Sequence, residues 1–133
     1  MEVYDLEGRV DVDCDKDLIH RLRSVRRGKY AAIILCHDGR DNNQPSLYIH
    51  INGDLAYLHY FPDNQRQHPG FQAKGMMAGD CEDEVRFLMT SGTEADSITM
   101  PRETLVPVEA AYKAAEEFLR KPALPPSVSW SEL

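Results

Sequence analysis

The sequence predicts an α+β domain: an antiparallel or mixed sheet of about five strands, one N-terminal helix, and a long C-terminal helix packed on the sheet. Three observations carry this. Apolar residues at helical spacing run from Val108 to Leu119, a continuous apolar run fills Tyr30 to Cys36, and two alternating segments meet at Asn52-Gly53.

Taken in order, Val3 to Val12 alternates loosely with acids and suggests one short edge strand around Gly8. A helical pattern then starts at Cys14 or Asp15, with Asp15 suited to cap free N–H groups. Leu18, Ile19, Leu22 and Val25 share one face, and Gly28 is the expected stop. Acids early and Arg21, Arg23, Arg26 and Arg27 late complement the helix dipole, a plainer reading of the arginine cluster than a phosphate site. Tyr30 to Cys36 reads as a buried central strand, followed by a polar loop from His37 to Pro45.

Leu47 to Ile51 and Leu55 to Phe61 form the clearest hairpin, because Asn-Gly accepts the positive φ values of a type I′ turn. Parity then sorts the side chains. Leu47, Ile49, Ile51, Ala56, Leu58 and Tyr60 share a core face; Tyr48, His50, Tyr57 and His59 share the other. Pro62 to Gly79 is loop-rich, with Phe71 as an anchor and Met76-Met77 as adaptable packing. Val85 to Met89 and Asp96 to Met100 are expected strands on either side of a turn at Ser91-Gly92.

In the last helix, Val108, Ala111, Tyr112, Ala115, Phe118 and Leu119 make one apolar stripe. Glu109–Lys113 and Glu116–Arg120 are acid-before-base pairs on the solvent side. Pro107 suits the first turn and Pro122 ends the run. Pro125-Pro126 then extends the chain so that Val128 and Trp130 lie back on the body, with Trp130 closing the core edge.

At 133 residues the natural count is one domain, spanning 1–133, with room for a core that needs no disulfide staples. Three well-separated cysteines, Cys14, Cys36 and Cys81, read as free thiols. With acids at Glu2, Asp5 and Glu7 and no 18-residue apolar run, a cytoplasmic location is expected. A formal charge of −7 argues against direct binding to nucleic acid and fits a basic protein partner.

No catalytic signature is present. The sequence lacks Gly-x-Ser-x-Gly, His-Glu-x-x-His, and a deaminase His-x-Glu with Cys-x-x-Cys, and its glycines are not followed by Gly-Lys-Ser/Thr, so neither catalysis nor a cofactor is expected. Cys36 and His37 are neighbours on a strand and point to opposite faces, which places them badly for thiolate activation. His50 and His59 lack the further ligands that zinc needs, and the acidic run lacks a calcium-loop pattern, so no metal is expected. Candidate surfaces for a partner are the carboxylates Asp80, Glu82, Asp83 and Glu84, whose alternative is a solvated turn, the loop acids Asp38 and Asp41, and the amphipathic face of Tyr48, His50, Tyr57 and His59, whose alternative is cover by a helix or loop.

The C-terminal third adds a resemblance. Met-Pro-x-x-Thr-Leu-Val-Pro-Val-Glu-Ala-Ala (Met100 to Ala111), then Phe118, a Pro-rich step and Ser-Val-Ser-Trp-Ser-Glu-Leu (Ser127 to Leu133), resembles the Imm-one family of bacterial immunity proteins. The likeness is strongest over 98–133 and weaker over 47–92. Its motif residues are Pro101, Pro107, Phe118, Trp130 and Glu132, structural in character. The resemblance implies a small domain, encoded beside a secreted polymorphic toxin, that binds the cognate toxin domain, often a nucleic-acid deaminase, and blocks its active site or substrate groove. A basic toxin groove would attract this chain's negative charge. The alternatives are a small-ligand-binding or regulatory α+β module, which needs a concave apolar pocket, and a small enzyme, which needs a perturbed titratable cluster in a cleft.

Overall fold

The computed structural model describes residues 1–38, 43–63, 68–76, 83–89 and 96–133. The chain begins with a hairpin, β1 (Glu2–Asp5) and β2 (Gly8–Asp11), followed by helix α1 (Asp15–Ser24), β3 (Tyr30–Cys36), β4 (Ser46–Asn52), β5 (Leu55–Phe61) and β6 (Phe71–Ala73). Then come β7 (Glu84–Leu88), β8 (Ser97–Pro101), a 3₁₀ turn at Arg102–Thr104, β9 (Leu105–Pro107), helix α2 (Val108–Arg120) and β10 (Trp130–Glu132). The large sheet runs β10-β6-β5-β4-β3-β1-β2 with β9 also on β5, and its pairings are antiparallel.

The central hairpin sets the faces. Asn52 pairs with Leu55, so the two-residue loop is Gly53-Asp54, one residue later than Asn52-Gly53, and Gly53 takes φ +61°, where a side chain would be strained. The shift leaves parity intact: Leu47 faces Tyr60, Ile49 faces Leu58 and Ile51 faces Ala56, all buried in the main core. Helix α2 covers this face with Val108, Ala111, Tyr112, Ala114, Ala115 and Phe118. Each large apolar side chain buried there contributes about 1.5–3 kcal/mol.

Pro107 sits at the N-cap of α2 rather than inside the first turn, and Lys121 is the C-cap just before Pro122. On its polar side Glu116 lies 3.9 Å from Arg120, whereas Glu109 meets Arg23 of α1 at 3.6 Å. Helix α1 differs at both ends from expectation. Cys14 is the N-cap without a side-chain bond, and Asp15 instead pairs with Arg120 of α2, joining the helices. The helix stops at Ser24, with Val25 as C-cap; Gly28 belongs to the next turn, where Arg27 and Tyr30 exchange backbone bonds of 2.8 and 3.0 Å. The arginines find partners inside the molecule. Arg21 grips Asp5 through two bonds of 2.6 and 3.0 Å, and Arg26 reaches the Tyr112 hydroxyl at 2.9 Å.

Strand count is the main correction: the sheet is larger than about five strands. The N-terminal segment folds as two strands instead of one, and β6, β9 and β10 are three-residue strands in stretches read as loop or connection. Three residues carry too little alternation to show a period; they are extended because β5 and β6 offer open edges to pair with. The strands β7 and β8, expected at 85–89 and 96–100, form a separate two-stranded sheet on the face opposite the helices. The expected Ser91-Gly92 turn lies outside the described residues.

Phe118 is fully buried, edge-on to Tyr60 at 6.4 Å and tilted against His37 at 5.3 Å. Phe118→Ala should lower unfolding free energy by about 3–5 kcal/mol in urea titration. A loss below about 1 kcal/mol would show that α2 is not packed this way.

Candidate functional site

Two surfaces hold the acidic and aromatic candidates. The first is built from strand ends. Asp83 immediately precedes β7 and Glu84 begins it, and Glu103 stands in the 3₁₀ turn that follows β8. The Arg102 amide donates to the Asp83 carbonyl at 2.9 Å, fixing the two segments together. The Gly75 amide donates to the Glu103 carbonyl and the Met76 amide to the Leu105 carbonyl, so the chain leaving β6 is tied to the same rim. A Cβ at position 75 would come within 2.5 Å of the Glu103 oxygen, which is why glycine stands there. Asp83, Glu84, Pro101, Arg102 and Glu103 line a depression of about 340 Å³.

Its charge is mainly negative. The Arg102 guanidinium lies 3.6 Å from Asp83, whose side chain is 92 % exposed, so the pair is solvent-screened and holds little energy. Glu84 and Glu103 are exposed, as are the flanking Lys74 and Met76, the latter at 52 %. Glu103 was not singled out by sequence reasoning, and Met76, expected as adaptable packing, is exposed instead; only the backbone ties just described bring them to Asp83. Asp80 and Glu82 lie outside the described residues, as does Asp41.

The second surface is half of the Tyr/His face. Cross-strand register places Tyr4, Ile34, Tyr48, His59 and Gln72 in one row across β1, β3, β4, β5 and β6. Tyr4 is exposed and the other four are half-buried. Phe61 stacks on His59 with centroids 4.2 Å apart and meets Tyr48 edge-on at 5.2 Å. The His59 Nε2–H donates to the Pro69 carbonyl at 2.9 Å, leaving Nδ1 to accept from the Tyr57 hydroxyl at 3.1 Å. Burial lowers the His59 pKa, with the bond to Pro69 opposing. Exposed Asp38 follows β3 at this end of the sheet.

His50 and Tyr57 correct the sequence reading, because they are not on a free surface. The β7–β8 hairpin covers them, leaving 2 % and 5 % exposed. Val85 and Phe87 pack with Tyr57 and Leu105 in a small second core, and the His50 Nδ1–H donates to the Leu88 carbonyl at 3.1 Å. Burial pushes the Tyr57 hydroxyl up to about 12. Parity placed these side chains together correctly, but covering the face required a long-range contact that no local pattern encodes.

Cys36 and His37 each have a partner inside the fold. Cys36 is buried, donates its thiol to the Glu2 carboxylate at 3.3 Å, and is pushed up to about 12, first by burial and then by Glu2. Such a thiol is a poor nucleophile. His37 turns away and donates from Nε2 to the Phe118 carbonyl at 2.6 Å, satisfying an acceptor near the end of α2. Among the described residues no group of three or more His, Cys, Asp or Glu is placed to hold a metal ion.

The motif residues fasten the C-terminus. Pro101 ends β8, and Pro107 ends β9 while opening α2. The Trp130 ring lies 6.3 Å from Tyr60, and its Nε1–H donates to the Pro125 carbonyl at 2.8 Å. Upstream in the tail, Glu117 of α2 accepts from both the amide and hydroxyl of Ser127, at 3.1 and 2.5 Å. Glu132 accepts from His68 Nε2–H at 3.1 Å. These bonds lay β10 along β6 and close that edge of the sheet.

The architecture is a sheet with helices on one face, a hairpin on the other and a Trp-bearing tail strand at its edge. The family model for Immunity protein Imm1 matches residues 7–132, nearly the whole chain, and the chain belongs to this family. It is thus an immunity protein, and its partner is a cognate toxin. The match includes the N-terminal third, where no motif was quoted from the sequence. Among curated proteins none matches the chain. No helix among the described residues is long and apolar enough to cross a membrane.

The thiol geometry is directly testable. In a Cys81→Ser background at about pH 8, an aromatic disulfide reagent should modify exposed Cys14 rapidly and Cys36 at least about 100-fold more slowly, with Cys36 becoming reactive on unfolding. Two equally fast thiols would contradict the burial of Cys36.

Proposed function

We propose that this immunity protein neutralises a toxin domain acting on nucleic acid, a deaminase or a nuclease, by presenting carboxylates to the basic groove that would hold the phosphate chain. The observation that carries the reading is the rim of Asp83, Glu84 and Glu103 on a chain of formal charge −7. Carboxylates on fixed strand ends compete with phosphates for the same guanidinium and ammonium groups and speed encounter through the long-range field. Asp80 and Glu82 join this reading on charge and sequence proximity, and Asp38 and Asp41 as a second acidic contact. Tyr48 and His59 supply amphipathic area on the sheet; buried His50 and Tyr57 drop out of the contact set.

In this reading the protein acts in the cytoplasm of the producing cell, with no cofactor and no chemistry of its own. The ligand-module alternative is not favoured, because the depression at the rim is lined by charge, the reverse of an apolar pocket with a few converging polar groups.

The experiment pairs the chain with the toxin encoded beside it. Complex formation by the purified proteins should weaken as salt rises. The triple variant D83K/E84K/E103K should associate about 10- to 100-fold more slowly at physiological ionic strength and fail to protect cells expressing the toxin. Unchanged association and protection in the triple variant would refute the rim, and a partner toxin without nucleic-acid activity would refute the substrate class.

A further inference from the structure

The β7–β8 hairpin is fastened differently from the rest of the fold. Among the described residues its strands form a ladder only with each other, and its apolar side chains Val85, Phe87, Ile98 and Met100 join the small second core instead of the main one. Among its polar ties to the body are the His50 Nδ1–H to Leu88 carbonyl bond at 3.1 Å and the Asn52 Nδ2–H to Arg86 carbonyl bond at 2.9 Å, whereas the Arg102 amide to Asp83 carbonyl bond prolongs the pairing of β7 with β8. At the centre is an ionisable side chain that the closed hairpin seals from water.

We propose that this hairpin is an acid-released cover, held shut by His50 in its neutral form. The His50 ring is 2 % exposed, stacked on Tyr57 at 5.9 Å and 27°, beside Ala32 of β3 and under the Leu88 carbonyl. Among the described residues, the titratable and charged groups on the elements packed around it are Tyr48 on its own strand, Tyr57 and His59 of β5, Arg86 of β7, whose guanidinium lies over Tyr30 of β3 at 5.9 Å, and Asp96 just before β8, whose carbonyl takes the Met89 amide; no carboxylate among them pairs with the ring. A proton added to the ring would therefore create a buried cation without a counter-ion, which opening the hairpin relieves by hydration.

The sign follows from burial. Loss of water around the ring lowers the His50 pKa, and nearby His59 lowers it further, against the bond from Leu88, which raises it. The open form titrates near the ordinary 6.5, so closure is fully favoured above that value and weakens as pH falls below it towards the closed-form pKa. Because β7 begins at Glu84, next to Asp83, opening also moves two of the rim carboxylates. The inference holds whether or not that rim meets a toxin.

Amide hydrogen exchange of the whole chain, expressed as protection factors, tests it. Between about pH 7.5 and 5.5, protection over β7 and β8 should fall by up to about tenfold, the limit set by one group that protonates only when the cover is open. Protection over β3, β4 and β5 should hold. His50→Asn keeps a donor for Leu88 and cannot take a proton, so it should abolish the acid response. Equal protection of the hairpin at both pH values, a parallel fall across all strands, or an unchanged acid response in His50→Asn would overturn the proposal. Should that variant not fold, the native chain decides by NMR: His50 ring protonation must follow the same pH curve as the β7–β8 amide shifts, and two unrelated curves would overturn it.

Discussion

Everything in this fold depends on the register of the central hairpin. Ladder pairs from Ser46–Phe61 to Asn52–Leu55 fix which face of the hairpin meets α2 and which meets β7 and β8. A slip of one residue would put His50 and His59 beneath α2 and turn Ile49 and Leu58 outward, exchanging an apolar core for unpaired imidazoles. The short turn at Gly53-Asp54 makes that slip costly, and Arg26 reinforces it by donating to the Gly53 carbonyl at 3.2 Å as well as to Tyr112 of α2. One side chain thus ties the turn, the end of the first helix and the second helix together.

The same register gives the two faces different strengths. The α2 side buries a continuous set of aliphatic and aromatic side chains from β1 to β10, with both helices over it. The hairpin side has a few apolar residues and a buried histidine. Burial of apolar area scales with stability, so the hairpin belongs to the low end of local unfolding free energies and the helix face to the high end. The tail chemistry belongs with the strong face: Trp130 and Glu132 act on the edge of β6, which without β10 would present unpaired backbone groups to other chains.

Legibility in the sequence followed the reach of the physical signal. Helix α2, strand β3 and the β4–β5 hairpin were readable because each repeats its pattern over seven or more residues. The three-residue strands β6, β9 and β10 were not, since pairing with a distant partner makes them extended. Gly28 was misread as a helix stop because glycine signals a left-handed residue without saying which turn needs it; here it serves the Arg27–Tyr30 turn. For the candidate site, Asp83 and Glu84 stood out as part of an acidic run, whereas Glu103 and Met76 come to that rim only through backbone bonds spanning the chain. His50 and Tyr57 were grouped correctly by parity, while the choice between exposure and cover stayed open, since nothing in strands β4 and β5 announces that β7 will lie over them.

The placement of the acidic rim bears on how an inhibitor of this kind gains affinity. Long flexible acids on a loop would lose side-chain and backbone freedom on meeting a cationic groove, a cost of about 0.5–1.5 kcal/mol for each immobilised side chain before any gain. Asp83, Glu84 and Glu103 are instead mounted where β7 starts and where a 3₁₀ turn leaves β8, and the Arg102–Asp83 and Gly75–Glu103 backbone bonds fix their spacing in the free protein. Their side chains stay solvated until contact, so little structure has to form in the encounter. Electrostatic attraction then acts mainly on the association rate, while tight retention requires apolar area that the rim itself lacks. Exposed Met76, whose amide is held to Leu105 beside the carboxylates, is the described side chain best placed to add it.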